Sequence, residues 1–524
     1  MTDARPTRPA SAPACAPQAG LLVELGGRER IRVEDVVAVA RDGAAVAFSG
    51  EVGPRLRRAR EIVDRHLARG TRVYGLTTGL GAAVDTALSS DDLTAFQKRA
   101  VGARAVAVGD RLATDEARAA LFTRLAGLAR GASGLSPALA DALLAMVNAG
   151  IHPVAHRTGS LGEADLAPLA ELMLPLAGGG EAEFEGRTML GPAALAAAGI
   201  PVPPLGPKDG IALINASAVS VGTAALAAHD VAIALEALTL AGALSLEAFR
   251  ANLCVLDEQV VALRAAPGQA EGSARLRALL AGSDLFEPGR ARRLQDPLSF
   301  RCLAPVHGWA TTRLRDARDA VEADLNGAGD SPAVLPEDGE LLSTVGFDTT
   351  ALALAFEALG QAAAHAAALG TSRIARLMSA ELTGLPRFLA RAGGSRTGFA
   401  TGQKTASALE AEIRHLALPV GGMTAPVADG VEDYAPMTPR VVDKTRAIAD
   451  RLASLAAIEL VVAAEGVDQR GEIRLGVGTA AAHAFVRARV RPLLEDRPTG
   501  PDFRRIADAI AAGDLGAALR DAAP

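Results

Sequence analysis

Two long runs of alanine and leucine, Val219 to Leu244 and Thr350 to Leu369, do most to limit what this chain folds into. Each carries its few charges at helical spacing, so both read as long helices buried in a protein core. Neither reads as a membrane span. Asp230 and Glu236 interrupt the first run and Glu357 the second, and a carboxylate held in lipid costs about 3 kcal/mol.

A chain of 524 residues with 49% apolar content has the means to bury a substantial core, and its length allows two or three domains. Glycine and proline gather outside the long runs, at Gly178 to Gly180, at Pro201 to Pro207 and around Gly421 to Gly430, which marks those stretches as loops. The first 19 residues, rich in Pro, Ala, Ser and Thr without an apolar run, read as a disordered tail with no secretory signal, and a cytoplasmic location is the default expectation. Cys15, Cys254 and Cys302 are too few and too scattered for a disulfide framework or a zinc site. His152 and His156 stand four apart like a helical metal pair, but Pro153 lies between them and no third ligand is evident, so no metal site is expected. Net charge is −6, and no basic run with interleaved aromatics suggests a nucleic-acid surface. No internal repeat stands out.

Residues Gly159-Ser160-Leu161-Gly162-Glu163-Ala164-Asp165-Leu166-Ala167-Pro168-Leu169 resemble a segment of the histidine/phenylalanine/tyrosine ammonia-lyase family that reads Gly-Ser-apolar-Gly, Ala-Ser-Gly, Asp-Leu-x-Pro-Leu. Five further stretches resemble the same family in the same order. They are Tyr74-Gly75-Leu76-Thr77-Thr78-Gly79-Leu80-Gly81, Lys208 to Ser217, Gln295-Asp296-Pro297-Leu298-Ser299-Phe300-Arg301-Cys302, the region from Asn326 through Phe347, and Glu432-Asp433. The resemblance implies a mainly α fold with a central bundle of long helices. It also implies a homotetramer whose active sites draw on three chains. The division expected along the chain is a tail at 1–19, an N-terminal domain at 20–210 carrying the Tyr74 loop and the 159–170 segment, and a long-helix bundle with C-terminal helices at 211–524.

By the same resemblance, Tyr74 takes the place of the catalytic tyrosine, Asn215 of the active-site asparagine and Arg301 of the arginine that grips the substrate carboxylate. The Gly-rich surroundings of Tyr74 allow close approach of backbone to a ligand, which favours catalysis over half-buried packing. A planar guanidinium suits Arg301 to bidentate capture of a carboxylate better than to an ordinary surface ion pair. Gln295, Phe347 and Glu432 join Asn215 and Arg301 as expected substrate contacts, although Asn215 is also suited to bracing a helix and Glu432 to solvent. Tyr434 has no clear counterpart and reads as a packing residue.

The departures from the pattern are equally specific. Glu163 and Ala164 stand where Ala-Ser-Gly is expected, and that tripeptide is what cyclises into the family's methylidene-imidazolone electrophile. Cyclisation needs a serine to lose its hydroxyl and a following glycine whose amide nitrogen is unhindered. Ser160, the nearest serine, is followed by Leu161. The expectation is therefore no prosthetic group, with Glu163 as a replacement acid or base or as the holder of a structural hydrogen bond. Leu298 replaces a second family tyrosine. Arg104 takes the place of a selectivity histidine and is expected either in a salt bridge or against a second anionic group. Gly346 and Asp348 flank Phe347 where Asn and His are expected, and Val431 replaces the glutamine before Glu432.

The activity expected first is that of a lyase-like enzyme acting on a small carboxylated, amino-acid-derived substrate by acid/base elimination, conjugate addition or cyclisation without the prosthetic group. The alternatives are conventional amino acid ammonia-lyase activity through a substitute electrophile, or a non-catalytic ligand-binding paralogue.

Overall fold

A computed structural model describes residues 20–79, 86, 92–422 and 426–522. The expected tail at 1–19, Cys15, and part of the loop around Gly421 to Gly430 lie outside the described residues, as do Leu80 and Gly81 at the end of the Tyr74 motif. The protein is mainly helical. Two compact units divide it: one from Met1–Leu226, Arg318–Leu354 and Val420–Val442, the other from Ala227–Ala317, Ala355–Pro419 and Asp443–Pro524.

Both alanine-rich runs are helical, as Ala218–Phe249 and Thr350–Leu377. Alanine and leucine have the highest helix propensities, and a helix that is apolar on every side belongs in a core. The first of these helices is buried along nearly its whole length. In the first unit its start meets the Thr114–Ala129 helix at Gly222, where a Cβ atom would come within 2.7 Å of the Ala119 carbonyl carbon. Only glycine allows backbones to cross that closely.

Among the described residues the named strands all fall in the first unit. They form a parallel pair, Leu22–Leu25 with Ala45–Phe48, and an irregular antiparallel pair, Val108–Arg111 with His156–Thr158. A three-stranded antiparallel sheet joins His152–Pro153, Glu181–Phe184 and Arg187–Leu190, and Ala333–Leu335 pairs with Glu340–Leu342. His152 and His156 are thus on strands, and His156 Nδ1 lies 3.1 Å from a Glu171 carboxylate oxygen.

Buried charge pins each unit internally. In the first, Arg124 holds Asp330 at 2.7 Å and also donates to the Ala212 carbonyl. In the second, Arg373 binds Glu459 through Nε at 2.6 Å and Nη2 at 3.0 Å, both side chains being fully buried, while Ser245 Oγ donates to the same carboxylate at 2.8 Å. Such pairs need full hydrogen bonding to offset their desolvation.

Candidate functional site

The site grows from the turn after the His156–Thr158 strand. Asp165, at the start of the Leu166–Met173 helix, is fully buried and accepts from Ser160 Oγ at 2.8 Å, Ser220 N at 2.7 Å and Ser220 Oγ at 2.9 Å. Burial raises its pKa and these hydrogen bonds oppose the rise. The turn between Ser160 and Asp165 is drawn tight. Gly162 has φ +100°, and a Cβ there would stand 2.9 Å from both the backbone nitrogen and Oγ1 of Thr438. Ala164 has φ +61°, a left-handed conformation that an L-residue adopts at a cost.

Glu163 therefore projects from a held backbone. It forms an isolated antiparallel bridge with Asp348, and the hydrogen bond from Thr349 Oγ1 to the Gly162 carbonyl, 2.7 Å, fixes the two segments side by side. Its carboxyl is pushed up to about 8, first by burial, then by a hydrogen bond to Asp348 and by the charges of Asp348 and Glu432. Its Oε1 is buried and has no hydrogen-bond partner among the described residues. At neutral pH this carboxyl carries a proton.

Glu163 lines a cavity of about 150 Å³ with Ser160, Leu161, Glu432 and Tyr434. Glu432 is held against Val427 by a backbone hydrogen bond in each direction. Arg104 lies within electrostatic reach of both Tyr74 and Glu432; burial lowers its pKa and those two groups oppose the fall. Tyr74 sits in a turn beside Gly75, whose φ is +65°. The Gly75 carbonyl accepts from Gln97 Nε2 at 3.2 Å, and Gln97 Oε1 accepts from Ile211 N at 3.2 Å, which ties the Tyr74 turn to the Asp209–Ile214 helix.

The structure thus gathers Tyr74, Arg104, Glu163 and Glu432 in the first unit. Asn215, buried at the end of the Asp209–Ile214 helix, donates Nδ2 to the Ser331 carbonyl at 2.6 Å. The carbonyl of Phe347 accepts from Ser217 Oγ at 2.7 Å. Gln295 and Arg301 belong to the second unit, where Gln295 is exposed and Arg301 Nε donates to the Asp296 carbonyl at 2.7 Å. Tyr434, expected to pack, also lines the cavity. Asp348, noted in the sequence only as a departure from the pattern, is the direct neighbour of Glu163. A contact across 185 positions leaves no local sign in the sequence.

A second, smaller cavity of about 90 Å³ lies in the same unit, lined by Thr123, Arg124, Ser217, Asp324 and Thr349 among others. Asp324 is raised to about 6 by burial and by the charge of Asp348.

Comparison with known proteins extends over nearly the whole chain. The chain is 37% identical over 498 residues to the histidine ammonia-lyase of Symbiobacterium thermophilum, covering 95% of this chain and 98% of that protein. Other relatives of that name recur at 34% identity. Among solved structures, histidine ammonia-lyase from Trypanosoma cruzi superposes with a TM-score of 0.88 at 26% identity, covering 96% of each chain. The ergothioneine-degrading ergothionase of Treponema denticola superposes with a TM-score of 0.89 at 29% identity, covering 94% of this chain and 99% of that one.

These relatives correct two expectations. Acid/base chemistry without a prosthetic group gives way, as the leading reading, to conventional ammonia elimination. The expectation of no prosthetic group likewise conflicts with histidine ammonia-lyases, which normally carry the methylidene-imidazolone. Both expectations rest on the dipeptide at 163–164 alone, whereas the similarity to a histidine ammonia-lyase runs over 498 residues.

The residues at the expected position do not fit the group in its usual form. Glu163 and Ala164 provide neither serine nor glycine, and the Ser160 hydroxyl is engaged by Asp165. An Ala-Ser-Gly tripeptide does occur at 132–134, but Ser133 is fully buried with its carbonyl bound by Lys208 Nζ, and a Cβ on Gly134 would meet Val63 at 2.5 Å. No step is therefore drawn through the group. With the aromatic amino acid lyase family matching residues 31–488 and relatives 34–37% identical over nearly the whole chain, the chain belongs to the aromatic amino acid lyase family.

Proposed function

We propose that this protein is an amino acid ammonia-lyase: it removes ammonia from a small α-amino acid and leaves the α,β-unsaturated acid, with electrophilic assistance supplied otherwise than by an Ala-Ser-Gly at 163–164. Histidine is the first substrate to consider, because the relatives that match nearly end to end bear that name. The observation that carries the reading is the cavity where Glu163 and Glu432 meet, with Arg104 linking Glu432 electrostatically to Tyr74.

Elimination needs a base at the β-carbon and a proton for the departing nitrogen. In this reading Tyr74 takes the β-proton. Glu163, protonated up to about pH 8, keeps the leaving amine protonated. Glu432 holds the ammonium and Arg104 the carboxylate of the zwitterion, with Asn215 and Phe347 in the same unit; a guanidinium presents paired donors to two oxygens. A homotetramer belongs to the same proposal, supported by large apolar side chains left in solvent on the second unit, including Leu294, Leu298 and Trp309.

The test is a pair of variants assayed for ammonia release. Tyr74→Phe is expected to lower kcat by about 10²–10⁴ with the fold retained, the usual range for a lost proton-transfer group. Glu163→Gln is expected to remove the fall in rate that the parent shows above about pH 8. Unchanged turnover in Tyr74→Phe would refute the assignment.

A further inference from the structure

Tyr434 is one of only two tyrosines in the chain, and it lines the same cavity as Glu163 and Glu432. Its hydroxyl lies 2.8 Å from Thr350 Oγ1. Thr350 Oγ1 donates to Asp348 Oδ1 at 2.7 Å, and the Thr350 backbone N–H reaches the same oxygen at 3.2 Å. A hydroxyl has one proton to give. With the Thr350 proton directed to Asp348, the Thr350 oxygen accepts from Tyr434, so the lone pairs of the phenol are left for a ligand in the cavity.

Beyond Asp348 stands Glu163, joined to it by the backbone bridge. The nearby Asp348 carboxylate helps to hold a proton on Glu163, because two close carboxyl groups resist ionising together. The polarity of the chain follows: Tyr434 donates to Thr350, Thr350 donates to Asp348, and Asp348 stands beside the protonated Glu163.

We propose that Tyr434, Thr350 and the Asp348–Glu163 pair form a proton relay joining two residues that line the cavity, Tyr434 and Glu163, with Tyr434 as its mouth and Thr350, outside the lining, as its positioning residue. A proton arriving on the phenol oxygen sends the phenol's own proton to Thr350 Oγ1, and the Thr350 proton to Asp348 Oδ1. The carboxyl pair holds one proton before the transfer and two after it. The reverse path returns the proton to the cavity, and no bond to carbon or nitrogen within the protein changes. The ionisable groups around the pair are Glu432, whose charge acts on Glu163, and Asp324, which responds to Asp348; Arg104 in turn feels the charges of Glu432 and Tyr74.

The relay rests on the ammonia-lyase reading only for its rate measurements. Thr350 is not among the residues lining the cavity, so Thr350→Val removes a hydroxyl without removing a ligand contact, and Thr350→Ser restores it. Thr350→Val is expected to lower kcat about tenfold or more with KM within about twofold of the parent. Thr350→Ser is expected to recover the rate, Tyr434→Phe to match Thr350→Val, and the double variant to be no worse than either. Parental kcat in Thr350→Val, or losses that multiply in the double variant, would overturn the relay. If the parent releases no ammonia from any amino acid, the functional reading fails and the relay is tested by infrared spectroscopy of the protein alone. The protonated-carboxyl band of the pair is then expected to move in Thr350→Val and Tyr434→Phe and to return in Thr350→Ser; an unmoved band would overturn it.

Discussion

Glu163→Gln tests the surroundings of Glu163 without any appeal to catalysis. The carboxyl rises from 4.5 to about 8 on folding, so the folded protein holds this proton more tightly than the unfolded chain does. Stability from that proton is fully present below about pH 4.5 and is lost as pH rises through about 8. The full difference corresponds to about 5 kcal/mol. Glu163 is only partly buried, and solvent screening reduces the effect to about 2 kcal/mol. For a chain of 524 residues, with an unfolding entropy of about 1 kcal/mol/K, that moves the melting temperature by about 2 °C. Glutamine keeps the shape of the protonated carboxyl and cannot ionise. The variant is therefore expected to melt with the parent at pH 5 and about 2 °C above it at pH 9. Other titrating groups cancel in the difference. Parallel curves for the two proteins from pH 5 to pH 9 would refute the burial and charge crowding described for Glu163.

Two further substitutions probe the frame around the site and the core of the second unit. Gly162→Ala places a Cβ 2.9 Å from the Thr438 backbone at a φ of +100°; a loss of about 2 kcal/mol is expected by denaturant titration, and a change within experimental error would contradict the tight turn. Arg373→Met leaves the Glu459 carboxylate buried with only Ser245 as a described side-chain partner, which is expected to cost about 3–5 kcal/mol, whereas replacing both partners with apolar residues costs far less. Equal losses in the single and double variants would show that the charge itself is not what matters.

The two long helices were legible in the sequence because a continuous apolar run is a local signal. Even so, the second continues to Leu377, eight residues past the end of its apolar run at Leu369. In that extension Arg373 is buried and paired with Glu459. The family motifs pointed to Tyr74, Arg104, Glu163 and Glu432, which fall in one unit together with Asn215 and Phe347, while Gln295 and Arg301 fall in the other. Asp348 and Tyr434 escaped the sequence reading for a different reason: their roles come from contacts with Glu163 and Thr350, which lie 185 and 84 positions away. The dipeptide at 163–164 bears on the prosthetic group alone, while the relatives matched along nearly the whole chain are named histidine ammonia-lyases.

The central claim is ammonia release, and the most direct measurement incubates the purified protein with L-histidine and then with a panel of other amino acids, following free ammonia and the mass of the unsaturated acid together. The account predicts stoichiometric ammonia and unsaturated acid from at least one amino acid, both lost in Tyr74→Phe. A folded protein that yields neither product from any member of the panel would contradict it.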